Sequence, residues 1–259
     1  MPLKLLFLLL FPMAVQAQDS LHLVGTMPVS ASLIAADNLG NLYVVNLQND
    51  IFKYDKNGEQ KFSQNFKLYG KPTSIDVSNP MEIYVFYRDA NTVLYLDNTL
   101  SERGKTDFTT GPFGLVTAVA RSYDNGLWVW DQVDLQLKKC TKEQESVTTS
   151  GNPLILGKGN TTPYLIVDNG SKVFMADSNG ISVFDVFANF IKKIPIIKPS
   201  LIQVLGQELY FLSSNKLISL DAENMKQKTI CNFTKTNQQA VVSGKRVYTF
   251  SKEKIEMWE

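Results

Sequence analysis

Histidine and cysteine are scarce in this chain of 259 residues, which contains one histidine and two cysteines. The histidine, His22, stands near the N-terminus, so histidine metal sites and Ser-His-Asp or Cys-His catalysis lack a well-anchored imidazole. Cys140 and Cys231 are too few for a disulfide scaffold, so stability must come from an apolar core. Composition alone thus argues against most classes of enzyme.

An excess of either charge is also lacking. Lysine and arginine total 26 and the acidic residues total 25, which gives a formal net charge of +1. A nearly neutral protein has no basic field to attract phosphate backbones without sequence preference. We therefore expect no nucleic-acid partner.

The apolar run nearest the N-terminus is too short to cross a membrane. Leu5–Phe11 is seven residues long, and at about 1.5 Å per residue it falls far short of a bilayer core of roughly 30 Å. Lys4 precedes this run, and Val15 and Ala17 place small side chains at a signal-peptidase site. The pattern predicts a signal peptide over residues 1–17, cleaved after Ala17, and a periplasmic or secreted mature chain, 18–259, without membrane insertion.

Sustained helical periodicity is missing as well, and short β-branched and aromatic runs alternate with Gly, Asn and Asp instead, which indicates an all-β fold. The clearest unit spans residues 33–62. It reads as four short strands with tight turns at Asp37–Gly40 and Asp55–Gly58. The same pattern of strands and turns occurs in six copies. An aromatic residue marks the second strand of each copy, at intervals of 36 to 46 residues: Tyr43, Tyr84, Trp128, Phe174, Tyr210 and Tyr248.

A period near 40 residues with four antiparallel strands per unit is typical of a β-propeller. We predict a six-bladed β-propeller with blades near residues 32–66, 73–109, 117–149, 164–196, 201–233 and 240–259. The last copy stops after its third strand, and residues 21–29 form a lone strand before the first copy. This N-terminal strand is expected to complete the sixth blade and close the ring, which removes an open sheet edge. The two cysteines fall in non-adjacent blades, so we expect free thiols.

The turn motifs carry a family resemblance. Asp-x-x-Gly-Asn-Leu-Tyr-Val at 37–44, Tyr-Asp-x-x-Gly at 54–58 and a weaker copy at 124–129 resemble the NHL-type and related six-bladed propellers of exported bacterial proteins. The Ala-Val-Gln-Ala-Gln run around the predicted cleavage site is similar to that of Bacteroidetes signal peptides. The resemblance implies blades and turns rather than an activity, and it matches no single characterised protein.

Candidate binding residues are predicted on one face of the ring. In propellers, the loops between second and third strands share a face with the linkers between blades, and that face usually binds partners. Exposed aromatic residues and arginine are typical binding anchors, whereas solvated turn acids are the alternative interpretation of the same loops. The predicted partner-binding residues are Tyr69, Tyr87, Arg88, Phe113, Trp130, Asp131 and Asp134, and the first four blades make this face acidic.

Three more specific functions for polar residues of the rim and channel remain open. Asp131 and Asp134 are a weak calcium pattern, because calcium requires six to eight oxygen ligands. Paired carboxylates among Asp37, Asp76 and Asp168 would suit a glycosidase or lyase. Arg121, on a strand that lines the channel, could recognise a carboxylate or phosphate, or be satisfied by neighbouring carbonyls or Asp76.

Together these patterns predict an exported, non-enzymatic propeller that serves as a protein-binding or scaffold module. A cell-envelope setting is expected, such as an outer-membrane assembly or protein-export complex, by analogy with other platform-like folds. No catalytic residue or required cofactor is assigned. The alternative is a propeller hydrolase or lyase that acts on carbohydrate or lactone with a carboxylate-bound divalent metal.

Overall fold

The computed structural model describes residues 21–151, 162–221, 223–233, 239–250 and 253–259. The predicted signal peptide lies outside these ranges. A search of the described residues finds no helix with the length and apolar character needed to span a bilayer.

The described residues form six antiparallel sheets of four strands each, so the predicted six-bladed propeller is confirmed. The first three blades contain β2 (Leu33–Ala36), β3 (Leu42–Val45), β4 (Asp50–Tyr54) and β5 (Gln60–Asn65); β6 (Ser74–Asp76), β7 (Glu82–Tyr87), β8 (Thr92–Asp97) and β9 (Glu102–Asp107); and β10 (Val116–Arg121), β11 (Leu127–Asp131), β12 (Gln136–Cys140) and β13 (Ser146–Thr149). The next two contain β14 (Leu165–Asp168), β15 (Lys172–Asp177), β16 (Gly180–Asp185) and β17 (Phe190–Pro195); and β18 (Ser200–Leu205), β19 (Glu208–Ser213), β20 (Lys216–Asp221) and β21 (Gln227–Asn232). The sixth contains β22 (Gln239–Ser243), β23 (Arg246–Phe250), β24 (Ile255–Trp258) and the N-terminal β1 (Leu23–Met27).

The turn motifs form because an aspartate side chain satisfies the backbone of the turn that follows it. The Asp37 carboxylate accepts hydrogen bonds from the backbone N–H of Leu39 at 3.0 Å and of Asn41 at 2.8 Å. It also accepts one from the Tyr43 hydroxyl at 3.0 Å, which ties the turn to the repeated aromatic of the second strand. Gly40 adopts a φ of 88°, a left-handed conformation that favours glycine.

The core lies between blades rather than within them. Of the six repeated aromatics, Tyr43, Tyr84, Trp128, Phe174 and Tyr248 are buried, and Tyr210 is half-buried. A typical cluster joins Tyr43 and Val45 of β3 to Ile83 and Val85 of β7, in the next blade. Each blade therefore depends on its neighbours to cover both of its faces.

The ring closes as the sequence predicts. β1 pairs antiparallel with β24, with Leu23 opposite Trp258 and Met27 opposite Ile255. Backbone hydrogen bonds between His22 and Glu259, at 2.8 and 3.0 Å, extend this pairing. The N-terminal strand thus covers the edge that the third strand of the last blade would otherwise expose.

Both cysteines are free thiols, which confirms the expectation that they are not paired. Cys140 is buried and Cys231 is half-buried. Burial raises the pKa of the Cys140 thiol to about 12 and that of the Cys231 thiol to about 11. At neutral pH both side chains are therefore protonated and act as small apolar groups.

Candidate functional site

A channel runs along the axis of the ring. In the described sheets, each first strand pairs with the second strand of its own blade and with no other strand, so its second edge faces the axis. The strands concerned are β2, β6, β10, β14, β18 and β22. They surround a cavity of about 620 Å³, which lies within the size range of small-ligand sites.

The channel opens at two faces. The linker rim consists of the loops between second and third strands and the linkers between blades; it includes residues 46–49, 66–73, 88–91, 108–115, 132–135 and 196–199. The turn rim, on the opposite face, consists of the remaining turns and includes residues 37–41, 77–81, 122–126, 169–171 and 186–189. Lys71 and Arg88 line the channel at the linker rim, and Asp37, Asp76 and Asp168 line it at the turn rim.

Trp130 is not an exposed binding anchor, which corrects the sequence prediction. Its side chain is 0% exposed and packs with Ala118, Ile166 and Met175 between the third and fourth blades. The indole Nε1 donates a hydrogen bond to Gln132 Oε1 at 3.0 Å, so its polar atom is satisfied locally. Trp130 shares a sheet face with Trp128, and the neighbouring blade covers that face to its end.

Two other predicted anchors are buried for the same reason. Tyr87 and Phe113 lie inside the apolar clusters on either side of the second blade. Tyr69 is half-buried, with its ring centre 5.4 Å from that of Tyr87. The ring of Phe113 meets Phe108 edge-on at 5.5 Å. These aromatics pack the linkers onto the ring and are not free anchors.

Three acids of the linker rim are held in ion pairs with lysine. Lys138 Nζ lies 2.9 Å from the Asp131 carboxylate and also contacts Asp134, while Lys193 lies 2.7 Å from Asp177. Asp131 and Asp177 are buried. Two lysines thus offset part of the negative charge predicted for this rim, and the Lys138 ammonium lies between Asp131 and Asp134, where a calcium ion would have to bind.

The Asp131–Lys138 pair gives folding a defined pH dependence. Burial raises the pKa of Asp131, but hydrogen bonds from Lys138 and from the backbone of Gly114 outweigh burial and lower it overall. A lowered folded pKa means that the ionised carboxylate stabilises the fold above the unfolded value, about 3.9, and that this contribution is lost as the pH falls through the folded value. We expect Asp131→Asn to lower the free energy of unfolding by about 1–3 kcal/mol at pH 7.

Urea unfolding of both proteins between pH 7 and pH 3 measures this effect. The difference between wild type and Asp131→Asn should stay constant down to about pH 5 and shrink below about pH 4. The exposed acid Asp89 offers a control on the same rim, because Asp89→Asn is expected to remain within about 0.5 kcal/mol of wild type. A difference at Asp131 that persists unchanged at pH 3 would contradict the pairing.

The carboxylates of the turn rim bind backbone and side-chain donors. Asp168 accepts from Trp128 Nε1 at 2.8 Å, from the Tyr123 N–H at 3.1 Å and from the Gly170 N–H at 2.6 Å. Asp76 accepts from the backbone N–H of Ser78 and of Arg121, each at 2.9 Å. These acids brace turns across neighbouring blades. Among the described residues, no group of three or more His, Cys, Asp or Glu side chains is arranged to hold a metal.

Arg121 is not a channel-lining side chain, which corrects its predicted position. Its backbone N–H binds Asp76, but its guanidinium contacts the Asn125 side chain and lies 3.9 Å from the Glu82 carboxylate. The residues that line the cavity on this blade include Val119 and not Arg121. The Arg121 side chain is therefore directed toward Glu82, on the second strand of the preceding blade, rather than toward the channel axis.

Two predicted residues line the channel: Asp76, which was expected there, and Arg88, which was expected on the rim and lies at the linker-rim mouth. Arg88 is held at this mouth by its backbone. Its backbone N–H donates to Thr73 Oγ1 at 3.1 Å, which fixes the start of the loop. Its Nε is buried and has no hydrogen-bond partner among the described residues. Burial lowers the pKa of the Arg88 guanidinium, and the nearby Asp89 opposes this shift. Arginine remains charged at all physiological pH values, so the half-buried cation faces a cavity without an ion-pair partner within the described ranges.

Sequence reasoning missed the exposed apolar side chains of the linker rim. Leu68 is 88% exposed and Ile197 is 81% exposed, although both belong to short linkers between blades. The sequence did contain a signal: apolar residues are unusual in such loops, which normally consist of turn-forming and polar residues. The exposed apolar residues of this rim are Leu47, Leu68, Leu115, Val133 and Ile197.

Comparison with known proteins finds similar folds at low identity. No protein-family model and no curated protein match the chain. A streptogramin B lyase structure is 14% identical, with a TM-score of 0.61 over 87% of this chain and 80% of that chain. A catalytically inactive histidine-to-alanine variant of virginiamycin B lyase from Staphylococcus aureus, with quinupristin, is 15% identical, with a TM-score of 0.57 over 87% and 78%.

A protein of unknown function from Bacteroides caccae is also similar, at 12% identity and a TM-score of 0.56, covering 76% of this chain and 80% of that chain. Identities this low carry information about the fold and none about the site. Together with the six four-stranded sheets, they identify the chain as a six-bladed β-propeller.

Proposed function

We propose that this chain is a non-enzymatic, exported binding propeller that holds a protein partner of the cell envelope on its linker rim. Export is inferred from the leader pattern of residues 1–17, and the envelope setting is inferred from that pattern together with the platform-like fold, by analogy. The linker rim is proposed as the binding surface because its loops are positioned by a rigid ring.

The exposed apolar side chains of the linker rim carry this proposal together with its longer segments, such as 66–73 and 108–115. The turn rim has shorter loops and exposes apolar side chains of its own: Leu39, Met81, Tyr123 and Phe187. Leu47, Leu68, Leu115, Val133 and Ile197 extend from the first blade to the linker after the fourth. Exposed apolar surface costs free energy in water, and groups of such residues rimmed by polar side chains often mark protein contacts. Burial beneath a partner would remove this cost.

The state of the acids supports binding over catalysis. General acid and base chemistry requires carboxylates that are available to a substrate. Here Asp131 and Asp177 are committed to lysines, and Asp37 and Asp168 are committed to turn N–H groups and aromatic side chains. Each acid thus has a structural partner that a catalytic role would have to displace.

The lyase or hydrolase alternative draws support from the likeness to streptogramin B lyase and virginiamycin B lyase. The virginiamycin B lyase variant that is catalytically inactive has lost a histidine. The one histidine of the present chain, His22, is exposed and pairs with Glu259 beside the outermost strand of the sixth blade. A histidine-dependent reaction in the channel therefore finds no imidazole among the described residues that line it.

The test compares three versions of the mature chain as affinity baits against the cell-envelope fraction of the source organism. The linker-rim variant carries Leu68→Glu and Ile197→Glu, and the control carries Leu39→Glu and Met81→Glu on the turn rim, where both side chains are also exposed. We expect wild type and control to retain the same protein at near-equal stoichiometry. The linker-rim variant should retain at least about ten-fold less, because two buried apolar contacts are lost and two charges are introduced.

Two results would contradict the proposal. Equal retention by the linker-rim variant would remove the surface from consideration, and loss of the partner in the turn-rim control alone would place binding on the opposite face. Circular dichroism of all three baits checks that the exposed substitutions leave the fold intact.

A further inference from the structure

The channel has opposite charge at its two mouths. At the linker rim, Arg88 and Lys71 line the cavity together with Asp89. At the turn rim, the charged side chains that line it are Asp37, Asp76 and Asp168. A ligand with an anionic group at one end and a cationic group at the other therefore matches the field along the axis.

The wall between the mouths is built from open strand edges. Each first strand leaves one edge without a strand partner, so backbone N–H and C=O groups face the channel. Gln203 satisfies a few of them, because its side chain bonds Ala36 O at 3.1 Å and both backbone groups of Val242 at 2.8 Å. The remaining edges are suited to a ligand that carries its own amide groups, as in strand addition.

The length of the channel sets the length of such a ligand. On the first blade the lining extends from Ser32 at the linker rim to Asp37 at the turn rim. Five residue steps of a strand span about 17 Å. An extended chain of about five residues therefore reaches from one charged mouth to the other.

We propose that the channel binds a short extended peptide with free termini, its α-carboxylate at Arg88 and its α-ammonium at Asp76, the turn-rim carboxylate that, within the described residues, accepts from two backbone N–H groups alone. The planar guanidinium suits a carboxylate, which it binds through two parallel hydrogen bonds. Arg88 lines this mouth of the channel and has no ion-pair partner among the described residues, so its guanidinium can take a ligand carboxylate. The site shares Arg88 and Lys71 with the linker rim, but it is tested with a free peptide, whereas the protein partner is tested through Leu68 and Ile197, so either proposal can fail without the other.

Calorimetric titration of the mature chain with penta-alanine tests the site. We expect binding of one peptide per chain, and affinity about 10- to 100-fold weaker for the C-terminal amide, which removes the charge opposite Arg88. Arg88→Gln should cause a loss of the same size, and N-acetylation should weaken binding by at least about 3-fold. Lys67→Gln, at an exposed rim lysine that does not line the channel, should change affinity by less than about 2-fold.

The outcomes separate the assignment from its alternatives. Failure of penta-alanine to bind, or equal binding of the C-terminal amide, overturns the peptide site. Binding that requires the carboxylate but ignores N-acetylation overturns the free peptide in favour of the C-terminal tail of a larger chain. Thermal unfolding checks that Arg88→Gln folds. A second variant is Lys71→Gln, at an exposed residue that lines the same mouth of the channel. It should weaken penta-alanine binding by about 2- to 5-fold.

Discussion

Replacing Trp130 by alanine is expected to lower the free energy of unfolding by about 3–5 kcal/mol, the usual cost of deleting a buried tryptophan. Trp130 is fully buried in the cluster that joins the third and fourth blades. The cavity left behind would remove contacts from both blades, because neither can close around it alone. For a chain of this size the melting temperature should fall by about 6–20 °C, measured by circular dichroism.

Val133→Ala is the matched control, since Val133 is exposed in the loop that follows the same strand. This variant should remain within about 0.5 kcal/mol of wild type. A Trp130→Ala protein with unchanged stability and a lost binding partner would contradict the structural role of Trp130. Such a result would instead support the prediction from sequence that Trp130 is an exposed binding anchor.

Removal of the N-terminal strand is expected to have an even larger effect. Deleting residues 18–27 removes β1 from β24 and exposes a full strand edge. It also removes Met27, which is buried in a cluster with Ala36 of the first blade and Ile255. We expect a loss of more than about 5 kcal/mol, comparable with the total stability of many domains.

Light scattering coupled to gel filtration measures the consequence. The truncated chain should unfold or associate through the open edge, while wild type should elute as a single species. A full-length variant with Leu23→Ser and Val24→Ser, at two exposed positions of β1, should behave as wild type. A truncated chain that keeps its melting temperature and its single species would contradict closure by this strand.

The blades could be predicted from the sequence because their signals are local. A repeated aromatic and an Asp-x-x-Gly turn act within a few residues, as the bonds of Asp37 to Leu39, Asn41 and Tyr43 illustrate. Ring closure could also be predicted by counting strands. The last copy lacks its fourth strand, and one extra strand precedes the first copy. Local chemistry was therefore sufficient for the architecture.

The site depended on contacts that local patterns do not contain. Trp130 lies at the end of its strand, a position that suggested the rim, yet in a propeller the neighbouring blade covers a sheet face along its full length. Asp131 looked like a turn acid because its partner Lys138 lies on the next strand. The burial of Arg88 Nε without a hydrogen-bond partner among the described residues has no signature in the sequence.

Hydrogen–deuterium exchange on the chain with its captured envelope partner tests the binding account most directly. The account predicts slower exchange at the linker rim, in residues 66–73, 108–115, 132–135 and 196–199, and unchanged exchange at 37–41 and 186–189 of the turn rim. Slower exchange confined to the turn rim, or no protection of either rim by the partner, would contradict it.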